Sequence, residues 1–390
     1  MALQPAAGAR DLNPHQVELN HEICNQLSNT YSIWGYEEVS PPRVERIDTL
    51  VAGGAIDSKE IVRLVADEPL GLRPEMTASI ARAACTKLSQ KARPLRLWSE
   101  GTVFESKRSF DGSILIEEEL KSGVELLGIK GIEAEIELLS LLIQSTERLQ
   151  SCLNNKPKLL IGHTGLMELI LKPFANNLKD SIRKALIQFN RLEIDKMKLK
   201  EDIKDKLLRI HEYRGKPAET LDQLEKEFGN EKTICDLRRL FKILHNSSNV
   251  QNIKIHLDPT FQPHFEFYTG IVFQLIFEGN SSPVVIASGG RYDNLLKRCG
   301  ALPSDAAGVG FSYDVDKIRE LTIIKDKQYI NVNSILIAFD NEDKFEKALN
   351  KQKELHKEGK TAILELQCCK DKKDAEDKMH IRRCSQLIWI

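Results

Sequence analysis

A long glycine-poor helical segment in the middle of the chain constrains the fold more than any other sequence feature. Residues 166–250 have helical periodicity, as in the run LKDSIRKALIQFNRLEIDKMKLKEDIKDKLLRI. Apolar residues that recur every three to four positions indicate amphipathic helices, whereas alternation with a period of two indicates strands. Strand-like segments lie on both sides, at 95–106 and 120–128 before it and as IKIHLDP, FEFYTGIVFQLIFEG and PVVIASGG after it. We therefore predict an all-helical insertion at about 166–250 in a domain that otherwise contains a sheet.

The two strand-like segments before the insertion, LRLWSEGTVFES and LKSGVELLG, are joined by KRSFDGSILIEE. Asp111-Gly112 lies inside this connection, and this dipeptide favours a tight turn between antiparallel strands. We predict a hairpin whose loop spans the whole connection, 107–118, with Asp111-Gly112 at its tip.

The C-terminal part of the chain alternates between strand and helix patterns. NSILIAFD, TAILELQ and SQLIWI are strand-like, and helical patterns at 343–359 and 371–383 separate them. Strands that alternate with helices in this way form mostly parallel sheets, because a helix connects each strand to its parallel neighbour. We predict two domains, a core at 1–325 that contains the helical insertion and a small α/β domain at 330–390.

The charge balance argues against two classes of binding protein. The 390 residues include 56 Lys and Arg and 57 Asp and Glu, which gives a formal net charge of −1. General nucleic-acid binders and proteins that bind anionic membranes usually carry a basic excess. The C-terminal residues 331–390 are also nearly neutral, with 12 basic and 11 acidic residues, so we do not expect this region to bind a nucleic acid.

The sequence contains no recognisable signal for export or membrane insertion. The N-terminus, MALQPAAGARDLNP, lacks an apolar core of signal-peptide length, and no run of 18 apolar residues occurs. The eight cysteines form no CxxC pair, so neither a zinc site nor a disulfide framework is expected. We predict a cytoplasmic protein with reduced thiols and without a metal or a cofactor.

The stretch GLRPEMTASIARA, residues 71–83, places charged side chains in an apolar segment just before a helix. Arg73 and Glu75 flank Pro74, and a guanidinium group beside a carboxylate can bind a small zwitterion. The same two side chains can instead form a structural ion pair. The residues by themselves leave both interpretations open.

Six short motifs follow one another in an order that is more specific than any of them alone. They are GARD at 8–11, GLRPEMTA at 71–78, GVE at 123–125, FYTGIVFQ at 267–274, GGRYDNLL at 289–296 and GVGF at 308–311. Together they resemble the catalytic core of histidyl-tRNA synthetase, a class II aminoacyl-tRNA synthetase. The resemblance covers residues 5–325, and the C-terminal domain is similar to a short form of that enzyme's anticodon-binding domain. It implies an α+β fold, in which helices flank an antiparallel sheet, and usually a dimer.

The resemblance also identifies three positions at which the synthetase family binds ATP with arginines. This sequence has Glu105, Pro263 and Lys317 there. Negative charge that develops at the α-phosphate during the reaction must be balanced by fixed cations. At a separation of about 4 Å and an effective dielectric constant of about 20, one pair of opposite charges contributes roughly 4 kcal/mol. Glu105 reverses the charge, and a lysine cannot make the bidentate contact of an arginine. We therefore expect no aminoacyl-adenylate formation, unless a loop shift brings Lys107 or Arg108 to the place of Glu105.

The amino-acid side of the synthetase site is better matched. The matching positions are Glu75, Thr77, Glu125, Tyr268 and Tyr292, and Lys121 stands where the family has a glutamine. The resemblance implies that Glu75 contacts the amino group of histidine and that the two tyrosines surround its imidazole. Each residue has a structural alternative, because the tyrosines can be core residues with satisfied hydroxyls and Glu125 can end a strand edge. We predict a histidine pocket beside a degenerate ATP site.

This combination resembles a paralogue of the synthetase, the regulatory subunit of short-form ATP phosphoribosyltransferase, as does HTGL at 163–166. The resemblance implies a non-catalytic subunit that self-associates as a dimer or tetramer and forms a hetero-octamer with a short catalytic subunit. It further implies activation of that subunit at the first step of histidine biosynthesis, feedback inhibition with histidine as effector, and no tRNA partner. Two alternatives are a divergent histidyl-tRNA synthetase and a histidine-sensing module with another partner, such as a kinase.

Overall fold

The structure of the protein is a computed structural model. It describes residues 4–52, 54, 56–109, 111–149, 156–246, 252–263, 267–279, 282–323 and 331–390. The chain forms two compact units, Met1–Thr322 and Ile323–Ile390. Within the described ranges, no helix is long and apolar enough to cross a membrane.

The first unit begins with helices and short strands and continues into a large sheet. Its described elements are, in chain order, α1 (Pro14–Ile33), β1 (Glu37–Glu38), β2 (Val44–Arg46), α2 (Ile47–Val51), β3 (Leu70–Leu72), α3 (Thr77–Cys85), β4 (Leu95–Arg108), β5 (Ile114–Leu127), α4 (Ile132–Leu149), β6 (Lys158–His163), α5 (Thr164–Leu171), α6 (Asn176–Ile187), α7 (Arg191–Lys196), α8 (Glu201–Glu212), α9 (Pro217–Phe228), α10 (Lys232–Asn246), β7 (Lys254–Leu257), β8 (Ile271–Glu278), β9 (Pro283–Arg291), α11 (Asp293–Arg298), β10 (Gly308–Asp314) and α12 (Val315–Ile323).

An eight-stranded sheet organises this unit, in the order β1-β4-β5-β10-β9-β8-β6-β7. Neighbouring strands are antiparallel from β4 through to β6. The two edge strands, β1 and β7, are parallel to their neighbours. The predicted antiparallel sheet is therefore confirmed, with parallel strands added at its edges.

Helices cover both faces of the sheet. Trp98 and Val124 face α1 and α4, whereas Leu97 and Leu127 face α3 and α11. Successive side chains of a strand point to opposite faces, so Glu125 lies on the same face as Leu127. The carboxyl group of Glu125 therefore lies on the face of the sheet that α3 and α11 cover.

The β4–β5 hairpin is longer than predicted. The two strands pair over their full length, so the connection spans only 109–113 and the predicted loop at 107–118 was wrong. Charged side chains explain the error, because Nζ of Lys107 lies 2.7 Å from a carboxylate oxygen of Glu117 and 3.2 Å from one of Glu105. The Lys107–Glu117 pair links β4 to β5, and such a cross-strand ion pair stabilises a ribbon that lacks apolar alternation.

The chain between β6 and β7 forms the helices α5 to α10, which correspond to the predicted insertion. Helices α5 to α8 have an apolar cluster of their own that includes Met167, Ile182 and Leu207, whereas α9 and α10 bury side chains such as Leu224 and Leu240 in the main core of the unit. β6 and β7 are parallel neighbours, and parallel neighbours need a crossover connection. The insertion therefore serves as the crossover between two adjacent strands.

A neutral imidazole caps the first turn of α5. Nδ1 of His163 accepts a hydrogen bond from the Gly165 amide at 3.0 Å, which requires that this nitrogen carry no proton. Burial, with a smaller contribution from the positive charge of Arg291, lowers the pKa of His163 to about 4.

We expect this cap to make the fold less stable in mild acid. The ordinary pKa of the group is 6.5, so the unfolded chain binds more protons than the native chain between pH 6.5 and 4. Titration of His163 should cost the native state roughly 3 kcal/mol of stability across this window, and its contribution should not change further below pH 4. Urea unfolding of the wild type and of His163→Asn at several pH values measures the difference, because asparagine can cap the turn without titrating. Parallel pH profiles for the two proteins would contradict the expectation.

The second unit is a small α/β domain. Its described elements are β11 (Asn331–Ala338), α13 (Phe345–Lys357), β12 (Thr361–Leu364), α14 (Lys372–Ile381) and β13 (Cys384–Trp389). The strands form a sheet in the order β12-β11-β13, and both pairs are parallel. The predicted parallel sheet is confirmed.

The cysteines that the structure describes are free thiols, at positions 24, 85, 235, 299, 368, 369 and 384. Cys152 lies outside the described residues. In the same parts of the chain, no group of three or more His, Cys, Asp or Glu side chains could hold a metal ion.

Candidate functional site

Two adjoining cavities lie on the α3 and α11 face of the large sheet, and Glu75 and Thr77 line both of them. The first, which we call the tyrosine cavity, has a volume of about 270 Å³ and is also lined by Phe267, Tyr268, Gly290 and Tyr292. The second, which we call the lysine cavity, has a volume of about 200 Å³ and is also lined by Lys121, Glu125, Asp314 and Lys317. Both are smaller than the usual range for ligand clefts, which is about 300–1,000 Å³. Each is of a size that suits an amino acid better than a nucleotide.

Glu75 is held at the start of α3 by the backbone of that helix. Its carboxylate accepts hydrogen bonds from the amides of Thr77 and, at 2.9 Å, of Ala78. A carboxylate in this position satisfies free amides and interacts favourably with the helix dipole. Burial raises the pKa of Glu75, although these hydrogen bonds and the charge of Arg73 oppose the shift.

Arg73 does not form the ion pair that the sequence left open. Its side chain is buried and donates to two carbonyl oxygens, of Thr102 at 3.1 Å and of Pro41 at 2.8 Å. The guanidinium group therefore joins two backbone segments. Glu75 keeps a carboxylate that faces both cavities.

Glu125 lies next to Glu75 and is the more deeply buried of the two, with 5% of its surface exposed. It accepts hydrogen bonds from the hydroxyl of Thr77, at 2.6 Å, and from the hydroxyl of Tyr292. Burial raises the pKa of Glu125 to about 8, and the charge of Glu75 contributes in the same direction. The pair can therefore hold a cationic group, whose positive charge would favour ionisation of both carboxyls.

An aromatic wall closes the tyrosine cavity. The ring of Phe267 stacks on Tyr292 with centroids 5.4 Å apart and meets Tyr268 edge to face at 5.0 Å. Burial raises the pKa values of both tyrosines, so their hydroxyls stay neutral. Phe267 was missed as a site residue, although it begins the FYTG motif. A wall of three rings suits a flat ligand group such as an imidazole.

Gly310 of β10 leaves the space that the Glu125 carboxylate occupies. A Cβ atom at this position would lie 1.8 Å from Oε2 of Glu125 and 2.7 Å from the backbone oxygen of Val124. We expect Gly310→Ala to displace Glu125 from Thr77 and Tyr292 and to destabilise the fold by about 1–3 kcal/mol. Thermal unfolding would measure the loss of stability, and calorimetric titration with histidine would measure the weaker binding that follows from the displaced carboxyl group. An alanine variant that bound histidine like the wild type would contradict this packing.

The two lysines of the lysine cavity are bound to carboxylates. Nζ of Lys121 lies 2.8 Å from Asp314 and 2.5 Å from Glu119, and Nζ of Lys317 lies 2.6 Å from Asp314. Burial alone would lower the pKa of Lys121, but the charges of Asp314 and Glu119 raise it overall. The structure thus places Lys121 beside Lys317 and away from the tyrosines. Asp314 was missed, although it begins the DVDK sequence that contains Lys317.

The other two degenerate positions lie outside the cavities. Neither Glu105 nor Pro263 is among the described residues that line them. The hypothesis that Lys107 replaces a lost arginine finds no support, because this lysine is paired with Glu105 and Glu117 on the face of the hairpin. Arg108 is exposed at the end of β4.

Comparison with known proteins shows what the chain is related to. The family model of histidyl-tRNA synthetase matches residues 8–318. A relative from Prochlorococcus marinus (strain MIT 9313) is 54% identical over 390 residues, which are 100% of both chains, and is named ATP phosphoribosyltransferase regulatory subunit. The chain belongs to the family of ATP phosphoribosyltransferase regulatory subunits. A second relative in this family, from Synechococcus sp. (strain CC9902), is 51% identical over 100% of both chains. The family resemblance inferred from the motifs is confirmed.

Solved structures show that the regulatory-subunit family shares its fold with class II synthetases. An ATP phosphoribosyltransferase regulatory subunit/histidyl-tRNA synthetase from Bacillus halodurans matches with a TM-score of 0.83 at 24% identity, over 100% of this chain and 98% of the other. Apo histidyl-tRNA synthetase from S. aureus matches with a TM-score of 0.69 at 19% identity, over 100% of this chain and 91% of the other. Likeness at these identities concerns the fold, and the predicted fold class is confirmed.

Proposed function

We propose that this chain is the non-catalytic regulatory subunit of a short-form ATP phosphoribosyltransferase and that it binds histidine where the tyrosine and lysine cavities adjoin, with the imidazole in the tyrosine cavity. It assembles with a short catalytic subunit as a hetero-octamer, built on dimers or tetramers of this chain, in the cytoplasm. It activates that subunit at the first step of histidine biosynthesis and mediates feedback inhibition by histidine. The shared name of full-length relatives at 54% and 51% identity supports the subunit assignment.

The observation that carries the histidine assignment is the buried carboxylate pair beside the aromatic wall. Glu75 and Glu125 can bind the α-ammonium group of an amino acid, because they face the same small volume and share Thr77 as a hydrogen-bonding neighbour. The ring of Tyr268 offers a flat surface for the imidazole, and the buried ring of Tyr292 supports the same wall by stacking on Phe267. A ligand cation would shift the equilibrium of Glu125 from the acid to the carboxylate, so binding should release a proton near neutral pH.

The lysine cavity supports a non-catalytic role. ATP binding requires cations that are free to meet phosphates. The cations among the described lining residues are Lys121 and Lys317, and both are already bound to Asp314. The carboxylates of Glu75 and Asp314 line the same space and balance the two lysine charges, so no net positive charge remains for a triphosphate.

Feedback inhibition requires that histidine bind two conformations of the complex with different affinities. A ligand with equal affinity for both conformations would not change the equilibrium between them.

The assay uses the reconstituted complex of this chain and a short catalytic subunit. We expect activation when the chain is added and inhibition when histidine is added. Inhibition should be lost with Glu75→Ala while the complex still forms. A complex that histidine inhibits equally with Glu75→Ala would contradict the site.

A second candidate function, histidyl-tRNA synthetase, is favoured by the match of that enzyme's family model to residues 8–318. Histidine-dependent exchange between ATP and pyrophosphate separates the two candidates. We expect no exchange by the purified chain and none on addition of tRNA. Clear turnover would establish an active adenylation site and overturn the regulatory assignment.

A further inference from the structure

A larger cavity lies in the helical insertion and shares no described lining residue with the tyrosine or lysine cavity. It has a volume of about 650 Å³ and lies where α9 and α10 approach β7. We call it the insertion groove. Its size falls within the range of about 300–1,000 Å³ for ligand-binding clefts.

The floor of the insertion groove is apolar. Pro217, Leu221, Phe241, Ile253 and Ile255 line it. Leu221, Phe241 and Ile253 are buried and therefore fixed by packing. Ala218, an exposed residue in the first turn of α9, leaves open space above them. The groove can thus accept apolar side chains onto a rigid surface.

The rim of the groove is basic. Lys216, Arg238, Lys242 and His245 line it, and its described lining residues include no Asp or Glu.

Acidic residues outside the groove neutralise part of the positive charge of this rim. Arg238 is paired with Asp222 at 2.9 Å and Glu225 at 2.6 Å. For Lys242, the described residues supply no ion pair. The rim therefore keeps an uncompensated positive charge at Lys242, next to the apolar floor.

We propose that the insertion groove binds an acidic amphipathic segment of the catalytic subunit, with apolar side chains on the floor and carboxylates at Lys242. This inference rests on the proposed function for the identity of the partner. Charge complementarity selects an acidic segment, because a basic one would be repelled by the rim. The phenyl ring of Phe241 is 9% exposed and offers little surface for a base to stack on, so the apolar floor favours aliphatic side chains over a nucleic acid.

The test measures assembly with the catalytic subunit by sedimentation for three variants. Lys242→Glu reverses the free charge of the rim, and Ala218→Glu places a carboxylate inside the groove. Lys226→Glu is the matched control, because Lys226 is an exposed lysine of α9 that does not line the groove. We expect Lys242→Glu to weaken the complex about tenfold and Ala218→Glu about thirtyfold, and the effect of Lys242→Glu to shrink in high salt. Lys226→Glu should assemble like the wild type.

The outcomes separate this inference from the proposed function. Failure of the wild type to assemble would overturn both. Wild-type assembly with groove variants that bind equally well, or with all three variants equally weakened, would overturn the groove alone. Histidine titration and thermal unfolding of each variant provide a check, because the groove variants should fold and should bind histidine like the wild type.

Discussion

Glu125→Gln is expected to weaken histidine binding about a hundredfold and also to make the free chain more stable above pH 7. The binding loss follows from the loss of a buried carboxylate that faces a ligand ammonium group, since removing one partner of such a pair costs about 2–5 kcal/mol. Glutamine keeps the size of the side chain, and its amide can still bond the hydroxyls of Thr77 and Tyr292.

The gain in stability follows from the direction of the pKa shift. The pKa of Glu125 is raised from 4.5 to about 8 in the native chain. The native state therefore binds more protons than the unfolded state between these pH values, and wild-type stability falls as the pH rises through the window. The loss should reach roughly 3 kcal/mol at pH 7. Glutamine does not titrate, so the variant should not show this loss.

Calorimetric titration with histidine and urea unfolding between pH 5 and 8.5 measure the two effects together. Glu118→Gln is the matched control, because Glu118 is an exposed glutamate on the same strand, and it should change neither quantity. A Glu125→Gln protein that lost stability as well as binding would indicate a structural carboxylate. Unchanged binding would remove Glu125 from the site.

Glu135→Gln is expected to destabilise the first unit by about 3–5 kcal/mol. Glu135 and Arg291 form a buried ion pair at 2.7 Å, with side-chain exposures of 6% and 8%. The guanidinium group also donates to the Gly131 carbonyl at 2.8 Å. Removal of one charge leaves the other buried without its main partner, which is costly in a low-dielectric interior. At this chain length the midpoint of thermal unfolding should fall by about 10 °C.

The same helix offers a control for this prediction. Glu133 forms an exposed pair with Arg239 at 2.9 Å, with exposures of 58% and 56%. Glu133→Gln should cost less than about 1 kcal/mol, because exposed pairs are weak. Similar losses in the two variants would contradict the buried-pair interpretation. Because Arg291 directly precedes Tyr292, Glu135→Gln should also weaken histidine binding, whereas Glu133→Gln should not.

Much of the fold could be predicted because it depends on local patterns. Period-two and period-3.6 patterns marked the sheet, the insertion and the C-terminal α/β domain. The motifs around Glu75, Glu125 and Tyr292 were sufficient to propose one pocket, and the structure brings these side chains together. The hairpin length could not be predicted, since its strands are joined by charged pairs that resemble a loop sequence.

The position of Lys121 could not be predicted from local sequence. It depends on the antiparallel register of β5 and β10, which sets Lys121 opposite Asp314. A register is a long-range property that no single segment encodes. For the same reason Asp314 was missed, although its carboxylate determines whether Lys121 and Lys317 are free to bind an anion.

The crossover role of the insertion makes it an exchangeable module. A connection between adjacent parallel strands can be as short as a single helix, so the sheet itself does not require the six described helices between β6 and β7. A chain in which one helix replaced this segment, and covered the core side chains that α9 and α10 now cover, should still close the sheet and keep both amino-acid-sized cavities. Such a shortened protein would keep its ligand cavities but would lack the insertion groove. A change in the length of this one connection could therefore add or remove a binding surface for a partner without altering the ligand site.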